Sequence, residues 1–296
     1  MSSPAKTAEK TSLTPADYKG RVKPIWCPGC GDFGVLNAIT RSLAALGIEP
    51  RRLALASGIG CSSRIPGFVN CYGFHGAHGR ALPVAVGIKL ANPRLTVLAL
   101  GGDGDGLSIG IGHFPHVARR NLDITYIMMD NRIYGLTKGQ TSPTTLEGRR
   151  TKTSPAGALE QPLNPVELAV IFNATYVARG YSANLKELQD LITRGIQHRG
   201  FSMVHVLSPC VTFGKGSGFD YFGPRTKPLP DDHDPRDRQQ ALLRSAVEET
   251  IYTGVFYETE RAEYVEQIQA IGSGVGRELD EDGPRIEVDR LIQRFS

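Results

Sequence analysis

Several things this sequence lacks narrow its reading first. No apolar run approaches the roughly 20 residues that a membrane-spanning helix needs, so a bilayer span is excluded. Residues 1–20 are polar and lack the apolar core of a secretory signal. The expectation is a cytoplasmic protein whose first 20 residues form a mobile segment. The formal net charge is only +4, too small for a nucleic-acid footprint, although a local basic face for an acidic partner stays possible. Internal repeats and low-complexity tracts are absent. The five cysteines, at 27, 30, 61, 71 and 210, are odd in number and follow no signal, which argues against a disulfide framework. In a reducing compartment they read as ligands, redox groups or buried small hydrophobes. What remains, at 40% hydrophobic and 22% charged, is an ordinary globular composition.

The chain is organised around Gly101-Gly102-Asp103-Gly104-Asp105-Gly106. Residues 96–100, Thr-Val-Leu-Ala-Leu, read as a buried strand leading into it. Residues 107–120 can form a helix, and a second apolar run, 124–129, ends at Asp130-Asn131. Strand, glycine-rich turn, helix and strand in this order predict two neighbouring parallel strands. Asp103 and Asn131 then both lie at carboxyl ends of strands, where open α/β sheets bind ligands. Glycines admit a phosphate close to the backbone, and the helix N-terminus offers free N–H groups. A carboxylate and an amide oxygen beside phosphate suit Mg²⁺.

Further strands are expected at 53–57, 175–178 and 202–207, and helices after Asp32 and at 82–90, 165–172, 185–198 and 238–250. Asp32 is placed to cap the first of these. Five short strands separated mostly by helices predict an α/β fold with a doubly wound, mainly parallel sheet over residues 21–225. Residues 132–164 form a long aperiodic loop, a length that usually marks function or mobility. Composition shifts at Thr226, and 226–296 reads as a C-terminal arm packed on the domain or on a partner subunit.

Cys27-Pro28-Gly29-Cys30 alone is a weak signal. Position strengthens it. Cys61 lies in the Gly-rich turn after the first strand and Cys210 just after the last. In a parallel sheet both would lie at the carboxyl edge, where four converging thiolates would suit a 4Fe–4S cluster or a zinc ion. Cys71 reads as a free thiol, His75 as structural, and His78 as a donor able to reach a diphosphate oxygen. Arg149, Arg150 and Lys152 read as a solvated basic run.

The wording of these motifs resembles a known family. Gly102-Asp103-Gly104 followed by Asn131 is similar to the thiamine diphosphate signature, which implies that Asp103, Asn131 and the carbonyl of Ile133 hold the metal on the diphosphate. Cys27-Pro28-Gly29-Cys30-Gly31, Gly58-Ile59-Gly60-Cys61-Ser62, His78-Gly79-Arg80, Gly102-Asp103-Gly104-Asp105 and Tyr134-Gly135-Leu136-Thr137-Lys138-Gly139-Gln140 occur in this order. Together they resemble the β subunit of 2-oxoacid:ferredoxin oxidoreductases over roughly residues 20–225. The resemblance implies a 4Fe–4S cluster on Cys27, Cys30, Cys61 and Cys210. It also implies that Ile59, Gly60, Cys61, Ser62, His78, Gly104, Asp105, Gly135 and Leu136 line thiamine diphosphate.

The implied reaction is coenzyme A-dependent oxidative decarboxylation of a 2-oxoacid, with electrons passed to ferredoxin. In thiamine enzymes the activating glutamate belongs to a pyrimidine-binding domain, for which 296 residues leave no room. An α subunit is therefore expected to supply it, with a dimer of αβ heterodimers as the assembly that the family suggests. Lys138, overhanging the site, is expected to meet a substrate carboxylate, since a buried ammonium is costly unless paired; the alternative is that it lies on the loop surface or pairs with the partner subunit. Its Gly-Leu-Thr-Lys-Gly-Gln setting resembles the 2-oxoglutarate-type and broad-range enzymes. Pyruvate or another 2-oxoacid is the alternative substrate. A non-enzymatic α/β domain binding a nucleotide and zinc is the more distant alternative.

Overall fold

The computed structural model describes residues 12–247 and 249–270. In chain order these form α1 (Asp32–Ala45), β1 (Leu53–Ser57), β2 (Tyr72–His75), α2 (Ala81–Ala91), β3 (Thr96–Gly102), α3 (Asp103–Leu107), α4 (Phe114–Arg120) and β4 (Ile124–Asp130). There follow α5 (Pro165–Ile171), β5 (Tyr176–Tyr181), α6 (Leu185–Gln197), β6 (Phe201–Leu207), α7 (Phe219–Arg225), β7 (Thr226–Pro228), α8 (Arg238–Ser245), β8 (Ile251–Glu258) and α9 (Tyr264–Ala270). The strands make one sheet of eight in the order β2-β1-β3-β4-β6-β5-β8-β7. All neighbours are parallel except β5 and β8, so the expected α/β, doubly wound, mainly parallel architecture is present.

The central strands read as continuous apolar runs because helices cover both sheet faces. Ala54, Ala56, Val97, Ala99, Tyr126 and Met128 pack with Leu82 and Ala85 of α2, Phe114 and Val117 of α4, and Val166 and Val170 of α5. The alternate residues Leu53, Leu55, Leu98, Leu100, Ile127 and Met129 pack with Val35, Ile39 and Leu43 of α1 and with Leu188, Leu191 and Ile192 of α6. This is the two-residue strand period expressed as two cores. Each buried Leu, Val or Ile contributes about 1.5–3 kcal/mol.

The sequence reading differs from the structure at several elements. β2, β7 and β8 were not anticipated. β2 is a four-residue edge strand exposed throughout, without the apolar run that marks a buried strand. The expected helix over 107–120 is interrupted. Helix begins already at Asp103, Ser108 leaves helical geometry (φ −86°, ψ −112°), and a 3-10 turn over Ile109–Gly112 precedes α4. The interruption admits the turn at Gly79, where a Cβ would stand 2.5 Å from the Gly110 nitrogen. α8 stops at Ser245, short of the expected 250.

The described parts of the N-terminal segment and of the C-terminal arm pack more closely than their composition implies. Residues 1–11 and 271–296 lie outside the described residues. Within the expected N-terminal segment, Tyr18 is fully buried and its hydroxyl donates to the Leu43 carbonyl at 2.9 Å. Gly20 N–H bonds to the Phe68 carbonyl. Within the C-terminal arm, β8 pairs with β5, and Ala241, Phe256 and Val265 join the core that holds Phe114 and Val177.

Candidate active site

β1, β3, β4 and β6 are consecutive neighbours in the sheet. Their carboxyl ends lead respectively into Gly58-Ile59-Gly60-Cys61-Ser62, Asp103, Asn131 and Ser208-Pro209-Cys210. Four sequence motifs thus meet along one sheet edge.

Asp105 holds two of the glycine-rich turns together. Its Oδ1 accepts N–H bonds from Ile59 at 3.0 Å and Gly79 at 2.7 Å. A Cβ on Gly58 would lie 1.9 Å from Asp105 Oδ2, so only glycine permits the approach. Ser62 lies against Gly102, where an added Cβ would sit 3.1 Å from its Oγ. Tyr134 donates from its hydroxyl to the Gly104 carbonyl at 2.8 Å, and its ring centroid stands 6.1 Å from that of His78. Nδ1 of His78 is buried and has no hydrogen-bond partner. A buried polar atom left so is costly unless a ligand meets it.

Asp103 and Asp130 are both 2% exposed, and one hydroxyl serves both. Thr144 Oγ1 lies 2.7 Å from Asp103 Oδ2 and 2.8 Å from Asp130 Oδ1. Burial, then the charge of Asp130, pushes the Asp103 carboxyl up. Burial acts the same way on Asp130, but the hydrogen bond and charge of His205, with Arg132, outweigh it and hold that carboxyl below its usual range. Asn131 Oδ1 accepts the Ile133 N–H at 3.0 Å, a turn that sets the Asn131 amide and the Ile133 backbone side by side. Beside Asp130, His205 and Arg179 lies a cavity of about 160 Å³.

The cysteines divide as four and one. Burial first raises the Cys30 thiol, and the charges of Asp32, Cys210 and Cys61 add to it. Cys61 is pushed up to about 11 by burial, then by Asp32, Cys210 and Cys27. Four thiols near enough to repel as anions are four that a metal centre would stabilise. Cys210 Sγ also accepts the Phe213 N–H at 3.4 Å. A Cβ on Gly135 would lie 3.5 Å from Cys210 Sγ and 3.8 Å from Asn131 Nδ2, so this glycine separates the thiol group from the Asp103–Asn131 group. Cys71 packs at the rim of the α1/α6 core, and burial raises it to about 12. Among the described residues, no three or more His, Cys, Asp or Glu side chains are drawn together tightly enough to hold a single metal ion.

Three expectations differ from the structure of this chain. Asp32 does not cap α1; it is the first helical residue, and its buried carboxylate turns inward to accept from Ser208. Lys138 is not buried within this chain. It is exposed, with a left-handed backbone (φ 75°), in the turn closed by Gly139 N–H to the Tyr134 carbonyl and Lys138 N–H to the Gly135 carbonyl. Leu136 beside it is 46% exposed. Arg149 also departs from the solvated run, since it turns inward to donate to the carbonyls of Arg132 and Phe213. The sequence reading missed Thr144, His205 and Arg179. Ser142-Pro143-Thr144-Thr145, a hydroxyl-rich run in the ligand-edge loop, was the available signal for the first.

The family pattern described as "Thiamine pyrophosphate enzyme, C-terminal TPP binding domain" matches residues 58–206. A second pattern, for the C-terminal part of the pyruvate ferredoxin oxidoreductase beta subunit, matches residues 210–273. The β subunit of 2-oxoacid:ferredoxin oxidoreductase 1 from Aeropyrum pernix is 42% identical over 254 residues, 82% of this chain and 80% of that protein. The 2-oxoglutarate synthase subunit KorB of Methanocaldococcus jannaschii is 37% identical, over 85% of this chain and 93% of that protein. Among solved structures, 2-oxoglutarate:ferredoxin oxidoreductase from Magnetococcus marinus with 2-oxoglutarate, coenzyme A and succinyl-CoA bound superposes with a TM-score of 0.88 at 40% identity, covering 98% of both chains. Likeness of this depth, running through the sheet edge and into the C-terminal strands, settles the descent: the chain belongs to the β subunits of the 2-oxoacid:ferredoxin oxidoreductases.

Proposed function

We propose that this chain is the thiamine diphosphate- and cluster-binding half of a 2-oxoglutarate:ferredoxin oxidoreductase that forms succinyl-CoA and CO₂ and passes electrons to ferredoxin. The observation that carries this reading is the meeting of Asp103, Asn131, Cys61 and Cys210 along the ends of four adjacent strands, with Cys30 near Cys61 and Cys210 and Cys27 near Cys61. The site fits thiamine diphosphate with Mg²⁺ in three respects. His78 Nδ1 is an unused buried group, an added Cβ at Gly60 would meet nothing within 4 Å, leaving open space beside the turn, and Asp103 and Asn131 supply hard oxygens. When bound, thiamine diphosphate supplies an electron sink for decarboxylation of a 2-oxoacid. Asp103, Asn131 and the Ile133 carbonyl would hold the metal, and the turns at Ile59–Ser62 and Gly135–Leu136 would line the cofactor. Cys27, Cys30, Cys61 and Cys210 would hold a 4Fe–4S cluster. The sulfurs around such a cluster stand wider apart than around one zinc ion, where each lies about 2.3 Å from the metal.

The α subunit would complete the active site with the pyrimidine-binding half, and two αβ units would pair. Free cysteines suit a cytoplasmic setting. The choice of 2-oxoglutarate rests on the KorB relatives and on the bound ligands of the Magnetococcus enzyme. Pyruvate is the second reading, favoured by the description of the pattern at residues 210–273. The test is to purify the chain anaerobically with its α subunit, then to assay viologen reduction with coenzyme A and either 2-oxoacid. Coenzyme A-dependent reduction with 2-oxoglutarate, lost in Asp103→Ala together with bound thiamine diphosphate, is expected. A colourless complex without iron, or full cofactor retention in Asp103→Ala, would overturn the reading.

A further inference from the structure

Five polar side chains, each between 2% and 4% exposed, run in a line across the sheet. Arg179 lies on β5, His205 on β6, Asp130 on β4, and Asp103 directly after β3, and these strands are immediate neighbours. Arg179 and His205 are register partners. Arg179 Nε donates to His205 Nδ1 at 3.1 Å. Arginine has no acceptor, so Nδ1 carries no proton and Nε2 does. Nε2 in turn donates to Asp130 Oδ2 at 3.0 Å. Asp130 Oδ1 accepts the Arg132 N–H at 2.8 Å and lies 2.8 Å from Thr144 Oγ1, which reaches Asp103 Oδ2 at 2.7 Å. Donation therefore has a direction, from Arg179 towards the carboxylate at the end of β3.

Such a line is costly to bury unless every member is satisfied. Asp103 is met by uncharged donors, the hydroxyls of Ser142 and Thr144 and the Gly104 N–H. The Thr144 hydroxyl has one hydrogen and faces two carboxylates. A divalent cation on Asp103 would supply the positive charge that these neutral donors lack. Behind the line, Arg179 is anchored by Asn164, the cap of α5, and stacks over the Phe256 ring of β8 at 5.1 Å. The end remote from the cation is thus fixed by the helix and by the strand that the C-terminal residues add.

We propose that Thr144 is a positioning residue for the divalent cation, and that the Arg179–His205–Asp130 line holds its hydroxyl against Asp103. This rests on the cofactor reading of Asp103 and Asn131. The line sets the carboxylate of Asp103 before the cation arrives, so that binding pays less ordering entropy.

The test uses the purified αβ complex, stripped of divalent cation and supplied with thiamine diphosphate. Mn²⁺ binding is followed by the electron paramagnetic resonance of free Mn²⁺. Thr144→Val, which keeps the shape and removes the hydroxyl, should weaken Mn²⁺ binding at least about tenfold, the scale on which supporting groups of metal sites act. Thr144→Ser, which restores the hydroxyl, should bind within about threefold of wild type. If Thr144→Val does not accumulate as a folded complex, Thr144→Ala carries the same comparison. Wild-type affinity in the variant lacking the hydroxyl, or equal weakening in Thr144→Ser, would overturn this inference alone. Failure of the wild-type complex itself to bind Mn²⁺ with thiamine diphosphate would overturn the cofactor reading as well.

Discussion

Ser208 donates its hydroxyl to Oδ1 of Asp32 at 2.6 Å, joining residues 176 apart in sequence. Both are buried, and the bond ties the start of α1, just after Cys30, to the end of β6, just before Cys210. Gly31 N–H to the Pro209 carbonyl at 3.1 Å is a second tie between the same segments. The separation of Cys30 and Cys210 is therefore set by the fold.

Ser208→Ala leaves the buried Asp32 carboxylate without that donor. The expected cost is about 1–3 kcal/mol, the penalty for a buried polar group that loses its partner. Thermal unfolding of the assembled protein checks it, alongside iron per chain, which should fall because the two cysteine segments are less firmly held. Unchanged stability would mean that water replaces the hydroxyl at no cost.

Replacing Cys27, Cys30, Cys61 or Cys210 singly by Ser should abolish the iron signal and electron transfer to ferredoxin. Cys71→Ser should change neither, because burial and the Leu55 backbone, rather than the other thiols, set the state of the Cys71 thiol. A hydroxyl is a poor ligand for iron–sulfur clusters. Iron content by absorption and chemical analysis separates the outcomes, and loss of iron in Cys71→Ser would show the ligand set to be wrong.

His198, just after α6, supplies a pH-dependent prediction remote from the site. Its Nε2 meets Thr175 Oγ1 at 2.8 Å. Burial holds the ring below its ordinary pKa, only partly offset by Glu258, Asp123 and Glu260. A group whose folded pKa is depressed contributes stability above its unfolded value, about 6.5, and loses it as pH falls through the folded value. Wild type should therefore exceed His198→Gln in stability at pH 8, and the gap should close towards pH 5. Melting curves of both proteins across this range decide it; a constant gap would remove the titration argument.

What the sequence made legible followed from burial. β1, β3, β4 and β6 are covered on both faces, so their apolar runs stand out and their ends could be lined up with Cys61, Asp103, Asn131 and Cys210. β2 is exposed and β8 only partly covered, so neither run announced itself. His205 and Arg179 sit inside strands, where a polar residue reads as a solvent-facing position rather than as a link in a buried line. Thr144 lies in an aperiodic loop, and only the fold shows that this loop returns to the end of β3. The odd one is Lys138: sequence placed it over the site, and in this chain it is exposed, so its burial would depend on a partner surface.

That dependence shapes the last prediction. Lys138 and Leu136 are exposed on the turn between Tyr134 and Gln140, beside the thiol and carboxylate groups that Gly135 separates. An exposed ammonium gains little from any pairing. If the α subunit packs over this turn, the same ammonium is desolvated and needs an anion. A dicarboxylic 2-oxoacid supplies one at its distal end, and 2-oxobutyrate does not. Lys138→Ala should then lower kcat/KM for 2-oxoglutarate at least about tenfold, the loss of one charge-assisted contact. It should change kcat/KM for 2-oxobutyrate much less. Steady-state viologen reduction by the αβ complex with each substrate measures both. An equal loss on the two substrates would assign Lys138 to the carboxylate they share or to the turn itself, and no loss on either would leave it where this chain alone places it, on the surface.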